Sequence, residues 1–247
     1  DNWDVLVLDD YKAVMPIPWK KKYFIKYITQ PYFCQQLGVF SSKRITLSLQ
    51  NSFLKKISSK YLKVTLNLNS ENLWNKNTAI RKNYILSLID DYEVIFKNFS
   101  RTRKQRVKFG FKNSLVVNDV LLEDLIQIQK KFYSYDNFSS DTLSAISKHV
   151  LDNNKGMLLG VFKGDKLLGG GLFLKTEQRI VYLFSSFNSA GREYQAASFL
   201  INYVIEKNQK NGIIFDFEGG NIPNIGSFFK SFGAKQVTFY QYSRTFF

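Results

Sequence analysis

Three side chains late in the chain, two carboxylates and a lysine, are of types that can accept a proton and stabilise developing negative charge. Asp216 and Glu218 stand two apart at the end of the apolar run Ile213–Phe217. If that run is a strand, residues two apart share a face, and both carboxylates could accept a proton from an attacking amine. The competing role is neutralising a nearby cation, as surface carboxylates commonly do. Lys230 follows two phenylalanines in a helix-forming stretch opened by Pro223, a residue suited to the first helical position. A lysine there could stabilise the negative charge that develops on a tetrahedral intermediate. It could equally be an exposed lysine favoured by the helix dipole. Such chemistry needs neither a reactive cysteine nor a histidine.

A second group of residues could hold anions. Between Lys97 and Lys112 there are seven basic side chains and no acidic one. Arg103 could grip a phosphate bidentately, with Arg101, Lys104 and Arg106 beside it, on a nucleotide-linked sugar or a tRNA. The alternative is a solvated helix face. Further on, Ser189, Gly191 and Arg192 lie just before a long helical pattern read over Tyr194–Lys210. Helix N-termini present free N–H donors and a positive dipole end, so this loop is a candidate seat for a diphosphate. Tyr240 and Tyr242 alternate on the last strand and either line a pocket or pack into a core. The run Gly169-Gly170-Gly171 marks a bulge or a close backbone approach.

Composition narrows the classes. The chain has 247 residues, 45% of them hydrophobic and 16% aromatic, enough for real cores. No apolar run approaches the roughly 20 residues of a membrane helix, so a soluble protein without an integral membrane segment is expected. Cys34 is the single cysteine, so no intrachain disulfide can form. His149 is the single histidine, and it falls in a helical pattern as a structural residue. No metal site is expected. The net charge of +15 favours anionic partners, but it is spread as +7 over residues 1–100 and +8 over residues 101–247.

The elements that must position these residues follow from periodicity. A hairpin opens the chain around Asp9-Asp10, and Tyr23–Thr29 reads as a further strand. Arg44–Lys60 carries helical spacing and Leu62–Leu68 alternates. Residues 69–83 read as a loop, with short strands at Tyr84–Ile89 and Tyr92–Phe96. Ser100 caps a basic helix. Beyond it the order is strand (Ser114–Val117), helix (Val120–Phe132) and helix (Ser140–Asn153). Three antiparallel strands (Met157–Phe162, Lys166–Lys175, Ile180–Ser186), a long helix, a strand, a helix and a strand complete it.

That order matches the acetyltransferase fold known as GNAT, and the first half shows a shortened version of it. The expected class is therefore α+β with a mixed sheet, built as tandem GNAT-like lobes, the first N-terminally incomplete with its opening elements upstream of Asp1. The expected lobes span 1–96 and 113–247, joined by the basic helix 97–112. In such folds a pantetheine lies where two parallel strands splay. The acetyltransferase phosphate pattern is only partly met, because Gln195 stands where a glycine is usual.

Three segments resemble the Fem family of aminoacyl (peptidyl) transferases, in order and separation. They are Ser100–Lys108, Phe215-Asp216-Phe217-Glu218-Gly219-Gly220, and Phe229-Lys230-Ser231-Phe232-Gly233. The helical hairpin that some Fem proteins insert to hold tRNA is not visible. The resemblance implies two GNAT-like lobes, Lys230 near the acyl-transfer centre, and transfer of an amino acid from aminoacyl-tRNA to a cell-wall peptide precursor. The expected activity is thus transfer of an aminoacyl or acyl group to an amine of a peptidoglycan or polysaccharide precursor, in the cytoplasm at the inner face of the membrane. Two alternatives stand beside it, an acetyl-CoA-dependent N-acetyltransferase and a non-catalytic binding protein of the same fold. The donor is accordingly aminoacyl-tRNA or acetyl-CoA, and the partners are an anionic precursor and tRNA.

Overall fold

The computed structural model describes residues 2–133 and 138–246. In chain order the first elements are β1 (Asn2–Leu8), β2 (Ala13–Lys22), β3 (Ile25–Ile28), β4 (Phe40–Ser41), α1 (Leu47–Lys56), β5 (Tyr61–Leu68) and β6 (Thr78–Ser87). Then come α2 (Tyr92–Lys97), α3 (Arg101–Lys112), β7 (Leu115–Asp119), α4 (Leu122–Phe132) and α5 (Ser140–Asp152). The chain continues with β8 (Gly156–Lys163), β9 (Lys166–Lys175), β10 (Arg179–Phe187), α6 (Ser189–Glu193) and α7 (Ala196–Lys207), and closes with β11 (Ile214–Asp216), α8 (Pro223–Lys230) and β12 (Lys235–Thr245).

Contacts divide the chain into two compact units. The first holds residues 1–83 and 237–247, the second residues 84–236. These units do not follow the lobes read from the sequence. The basic helix α3 belongs wholly to the second unit, and most of β12 belongs to the first.

In the first unit β2 pairs antiparallel with β1, β3 and the short β4. β3 runs parallel to β5, and β5 pairs antiparallel with residues 240–245 of β12. Alternation buries Met15, Ile17, Val64, Leu66 and Leu68, and α1 covers them with Phe53 and Leu54. Thr46 caps α1 by accepting from the Leu49 amide at 3.2 Å. Two sequence expectations are corrected here. Tyr23–Thr29 is not one strand, because Tyr23 and Phe24 form the turn between β2 and β3. Residues 69–83 are not wholly loop, since β6 already begins at Thr78.

In the second unit β7, β8, β9 and β10 form an antiparallel run, β11 joins β10 in parallel, and residues 85–87 of β6 pair antiparallel with β11. The core cluster places Phe199, Leu200, Ile201 and Val204 of α7 with Val107 of α3 and Phe229 of α8. Helix α5 starts as expected, with Ser139 accepting from the Thr142 amide, while α4 begins at Leu122, two residues after the expected Val120. Tyr92–Phe96 is a helix rather than a strand. Asp91 stands at its N-cap position, Glu93 in its first turn and Lys97 in its last, charges that suit the two helix ends. The long helix expected over Tyr194–Lys210 is shorter, running as α7 from Ala196 to Lys207, with the separate α6 before it. Gln195 adopts a left-handed conformation (φ 59°) between them, which no continuous α-helix accommodates.

Candidate functional site

The strand pair β10–β11 opens midway, and that opening organises the site. The two strands pair only at Arg179/Ile214, Ile180/Phe215 and Val181/Asp216. Past that point the Phe217 amide donates to the Tyr84 carbonyl at 3.0 Å, keeping the chain on the β6 side. β10 meanwhile stays with β9 through Phe187↔Gly169, with its register shifted between Tyr182 and Phe184. The result is a wedge between parallel strands with Tyr182 on one wall and Phe217–Gly220 on the other. Burial pushes the Tyr182 hydroxyl pKa well up, so it stays neutral. Its ring stacks on Phe173 at 5.2 Å.

The carboxylates differ in setting. Asp216 is only 3% exposed and is ion-paired with Arg179 from the neighbouring strand. Its Oδ1 also accepts the Glu218 amide at 2.9 Å. This turn ends the strand, and Glu218 lies beyond it with a left-handed backbone (φ 51°). The shared strand face expected for Asp216 and Glu218 is therefore absent, since strand alternation stops at Asp216. Glu218 is half-buried at the wedge mouth.

Lys230 ends α8, exposed and without an ion pair among the described residues. Its helix packs on the wall that carries Glu218. Phe229 meets Phe217 with ring centroids 4.7 Å apart, and Gly226 sits so close that an added Cβ would lie 2.8 Å from the Gly220 carbonyl oxygen. The second unit thus brings Asp216, Glu218 and the helix bearing Lys230 to one end of β11.

Arg103 occupies a place the sequence reading did not give it. It is 8% exposed, on the α3 stripe Arg103, Val107, Gly110 that faces the core. Its Nε donates to Ser231 Oγ at 2.8 Å and its Nη1 donates to Ser198 Oγ. The guanidinium carbon lies 4.2 Å from the centre of the Phe228 ring and 4.6 Å from that of Phe232. Desolvation, with some help from Arg106, pulls its pKa down to about 10, which leaves it charged at neutral pH. No carboxylate among the described residues pairs with it. Arg103 thereby ties the first turn of α7 to the end of α8. Arg106 and Arg101, by contrast, are exposed.

At the loop before α7 the backbone is partly committed. Asn188 accepts the Gly191 amide at 2.8 Å, and the Arg192 amide donates to the Asn188 carbonyl. Gly191 is buried against β9, where any Cβ would collide with the Leu168 carbonyl oxygen. Arg192 is exposed; its Nη2 donates to the Phe132 carbonyl at 3.2 Å and its guanidinium lies over Tyr133. Ser189 is exposed. The first amides of α7, those of Ala196 and Ala197, have no protein partner among the described residues. Tyr240 belongs to the first unit, where it is half-buried, opposite Leu68 and packed against that unit's core. Among the described residues no group of three or more His, Cys, Asp or Glu side chains could hold a metal ion. No helix among them is long and apolar enough to cross a membrane.

Arg179 and Tyr182 were not singled out from the sequence. The signal available was the strand pattern itself, since a parallel neighbour for Ile214–Asp216 had to come from Ile180–Ser186.

No family model matches the sequence, and no curated protein matches it significantly. Solved structures do share its fold. The structure of FemX superposes with a TM-score of 0.67 at 11% identity, covering 97% of this chain and 87% of that one. The C-terminal domain of a putative lysylphosphatidylglycerol synthetase from Agrobacterium fabrum gives 0.59 at 11% identity, covering 99% and 84%. L-PGS from Bacillus licheniformis gives 0.56 at 13% identity, covering 97% and 83%. The chain therefore shares the fold of FemX and of these two synthetase structures.

Proposed function

We propose that the second unit performs acyl transfer, moving an aminoacyl group from a carrier in the β10–β11 wedge to an amine of a cell-envelope precursor. The observation that carries this reading is the wedge itself. Parallel strands that separate after three residue pairs leave a wedge for an extended acyl carrier, beside a helix whose first amides are uncommitted. The fold shared with FemX supports the aminoacyl donor, and the name of the lysylphosphatidylglycerol synthetase fits an envelope acceptor.

In this reading the acceptor amine attacks the donor ester carbonyl and forms a C–N bond. Lys230 stabilises the tetrahedral oxyanion. Glu218 takes the proton lost by the amine. The ester C–O bond then breaks, and the departing oxygen takes the proton held by Glu218 and leaves as a hydroxyl on the carrier. Asp216 acts at one remove, fixing the turn that aims Glu218. Arg106, exposed on α3, and Arg192 are the cations open to a phosphate of donor or acceptor.

Ala196 and Ala197 also keep an acetyl-CoA donor in view, because two free helix amides suit a diphosphate. One experiment separates the donors. The purified chain is incubated with an amine-bearing, nucleotide-linked muramyl peptide and either labelled aminoacyl-tRNA or labelled acetyl-CoA. Label transferred from the tRNA, and lost in Lys230→Ala, supports the proposal. Transfer from acetyl-CoA alone establishes the second reading. Transfer from neither refutes acyl transfer to this acceptor.

A further inference from the structure

The β2–β3 hairpin of the first unit ends in a turn that its own residues disfavour. Lys22 pairs with Ile25, so only Tyr23 and Phe24 form the turn. Both have positive φ, 46° and 67°. A two-residue turn with both φ values positive is the geometry that Asn-Gly or Gly-Gly adopts readily. Bulky L-residues held in that region carry backbone strain. The compensation is not burial, because Tyr23 is 83% and Phe24 91% exposed. Two aromatic rings at the most projecting point of a ribbon, held there against local preference, point to an external surface that receives them.

The flanking residues identify that surface. Lys20, Lys21 and Lys22 precede the rings and Lys26 follows them, with no acidic residue between Trp19 and Ile28. None of the four lysines has an ion-pair partner among the described residues. Alternation puts Lys20 and Lys22 on one face of the ribbon and Lys21 on the other. Lys63 joins them from β5, across a cleft of about 500 Å³ that it shares with Lys22, Tyr23, Ile25 and Tyr27. At about 3.3 Å per strand residue, the lysine backbones stand within roughly 10 Å of the tip. That matches the depth of about 5–10 Å to which interfacial segments place apolar groups below lipid headgroups. Ile25, also exposed, extends the apolar tip.

We propose that the Lys20–Lys26 hairpin docks the protein on an anionic lipid bilayer. The Tyr23 and Phe24 rings enter the headgroup–acyl boundary, and the lysines pair with lipid phosphates around them. A single-stranded nucleic acid could also stack on exposed rings beside lysines. The bilayer is favoured because both rings sit at the convex end of the ribbon, where they can be immersed together.

The test uses the full chain with its rings altered and its charge kept. Tyr23→Asn/Phe24→Gly installs the residues this turn prefers, so its thermal midpoint should equal or exceed that of the unaltered chain. Binding is measured by co-sedimentation with vesicles of phosphatidylcholine alone or mixed with phosphatidylglycerol. The unaltered chain should bind the mixed vesicles and not the neutral ones. The double variant should bind the mixed vesicles at least about tenfold more weakly, as loss of two interfacial rings implies. Lys21→Glu/Lys26→Glu should weaken binding by about fivefold or more per lysine. Equal vesicle binding by the folded double variant would overturn the proposal, because the net charge alone would then account for attachment. So would ring-dependent binding to single-stranded RNA without binding to vesicles.

Discussion

Replacing Arg103 by lysine separates a buried tie from a surface phosphate grip. Lysine keeps the positive charge and most of the stem, so a site that merely attracts anions would tolerate it. A buried fork would not. Arg103 donates from two different nitrogens to two hydroxyls on different helices, Ser231 and Ser198, and its plane is covered by Phe228 and Phe232. A lysine ammonium cannot reproduce that span. Losing one charge-assisted hydrogen bond costs about 1.5–3 kcal/mol. Losing the planar cover over two rings removes roughly another 0.5–1 kcal/mol.

The expected destabilisation is therefore about 2–4 kcal/mol. For a chain of this size that lowers the melting midpoint by roughly 4–16 °C. Circular dichroism melts of the unaltered chain and the variant read it directly. The loss should persist from about 0.05 to 0.5 M salt, because a buried contact is poorly screened. Arg101→Lys and Arg106→Lys, both at exposed positions, should stay within about 0.5 kcal/mol of the parent. An Arg103→Lys variant that melts with the parent, yet binds polyanions more weakly, would refute the buried-tie argument.

Three further outcomes follow from the same geometry. Lys230→Ala should lower kcat by about a hundredfold or more in the transfer assay, as loss of an oxyanion-stabilising group does, while its melting midpoint holds; an unchanged kcat would remove Lys230 from the centre. Gly191→Ala should destabilise the second unit by about 1–3 kcal/mol in urea titrations, since its Cβ has only the Leu168 carbonyl to move against. Burial raises the Tyr92 pKa to about 12, against the ordinary 10.0, so the folded state keeps a proton that the unfolded state has released. The stability this contributes is complete below pH 10 and is lost as pH rises through about 12. Tyr92→Phe should flatten the alkaline fall in stability across that window, and an unaltered slope would contradict the assignment.

The order of the second unit was legible because each element agreed with its local signals. Ser139 caps α5, Ser100 caps α3, Gly164-Asp165 turns β8 into β9, and Pro223 opens α8. The errors fell where two periods fit one short segment. Tyr92–Phe96 alternates well enough for a strand, and only its end charges favour the helix. Continuous helical spacing hid the left-handed residue Gln195, because a single backbone reversal leaves no trace in hydrophobic periodicity. The positions of the candidate residues along the chain were readable, but their partners were not. Arg101, Arg103 and Arg106 look alike in a basic run. What buries Arg103 is a serine and two rings more than a hundred residues away, together with the stripe it shares with Val107 and Gly110.

That distant partnership changes what the basic helix is for. A run of seven cations suggests a surface that holds anions, yet the arginine with the most fixed geometry spends its donors inside the protein. It braces the start of α7, where the uncommitted amides of Ala196 and Ala197 lie, against the end of α8, which carries Lys230. Asp216 does comparable work at the strand end, where Arg179 and the Glu218 amide hold it. In the proposed mechanism neither residue needs to touch the substrate. Each fixes an element from which a more exposed side chain can, which is how the site keeps a defined geometry. If Arg103 is such a brace, its conservative variant should lower kcat for transfer along with the melting midpoint while leaving polyanion affinity in place. A direct phosphate ligand would give the reverse pattern.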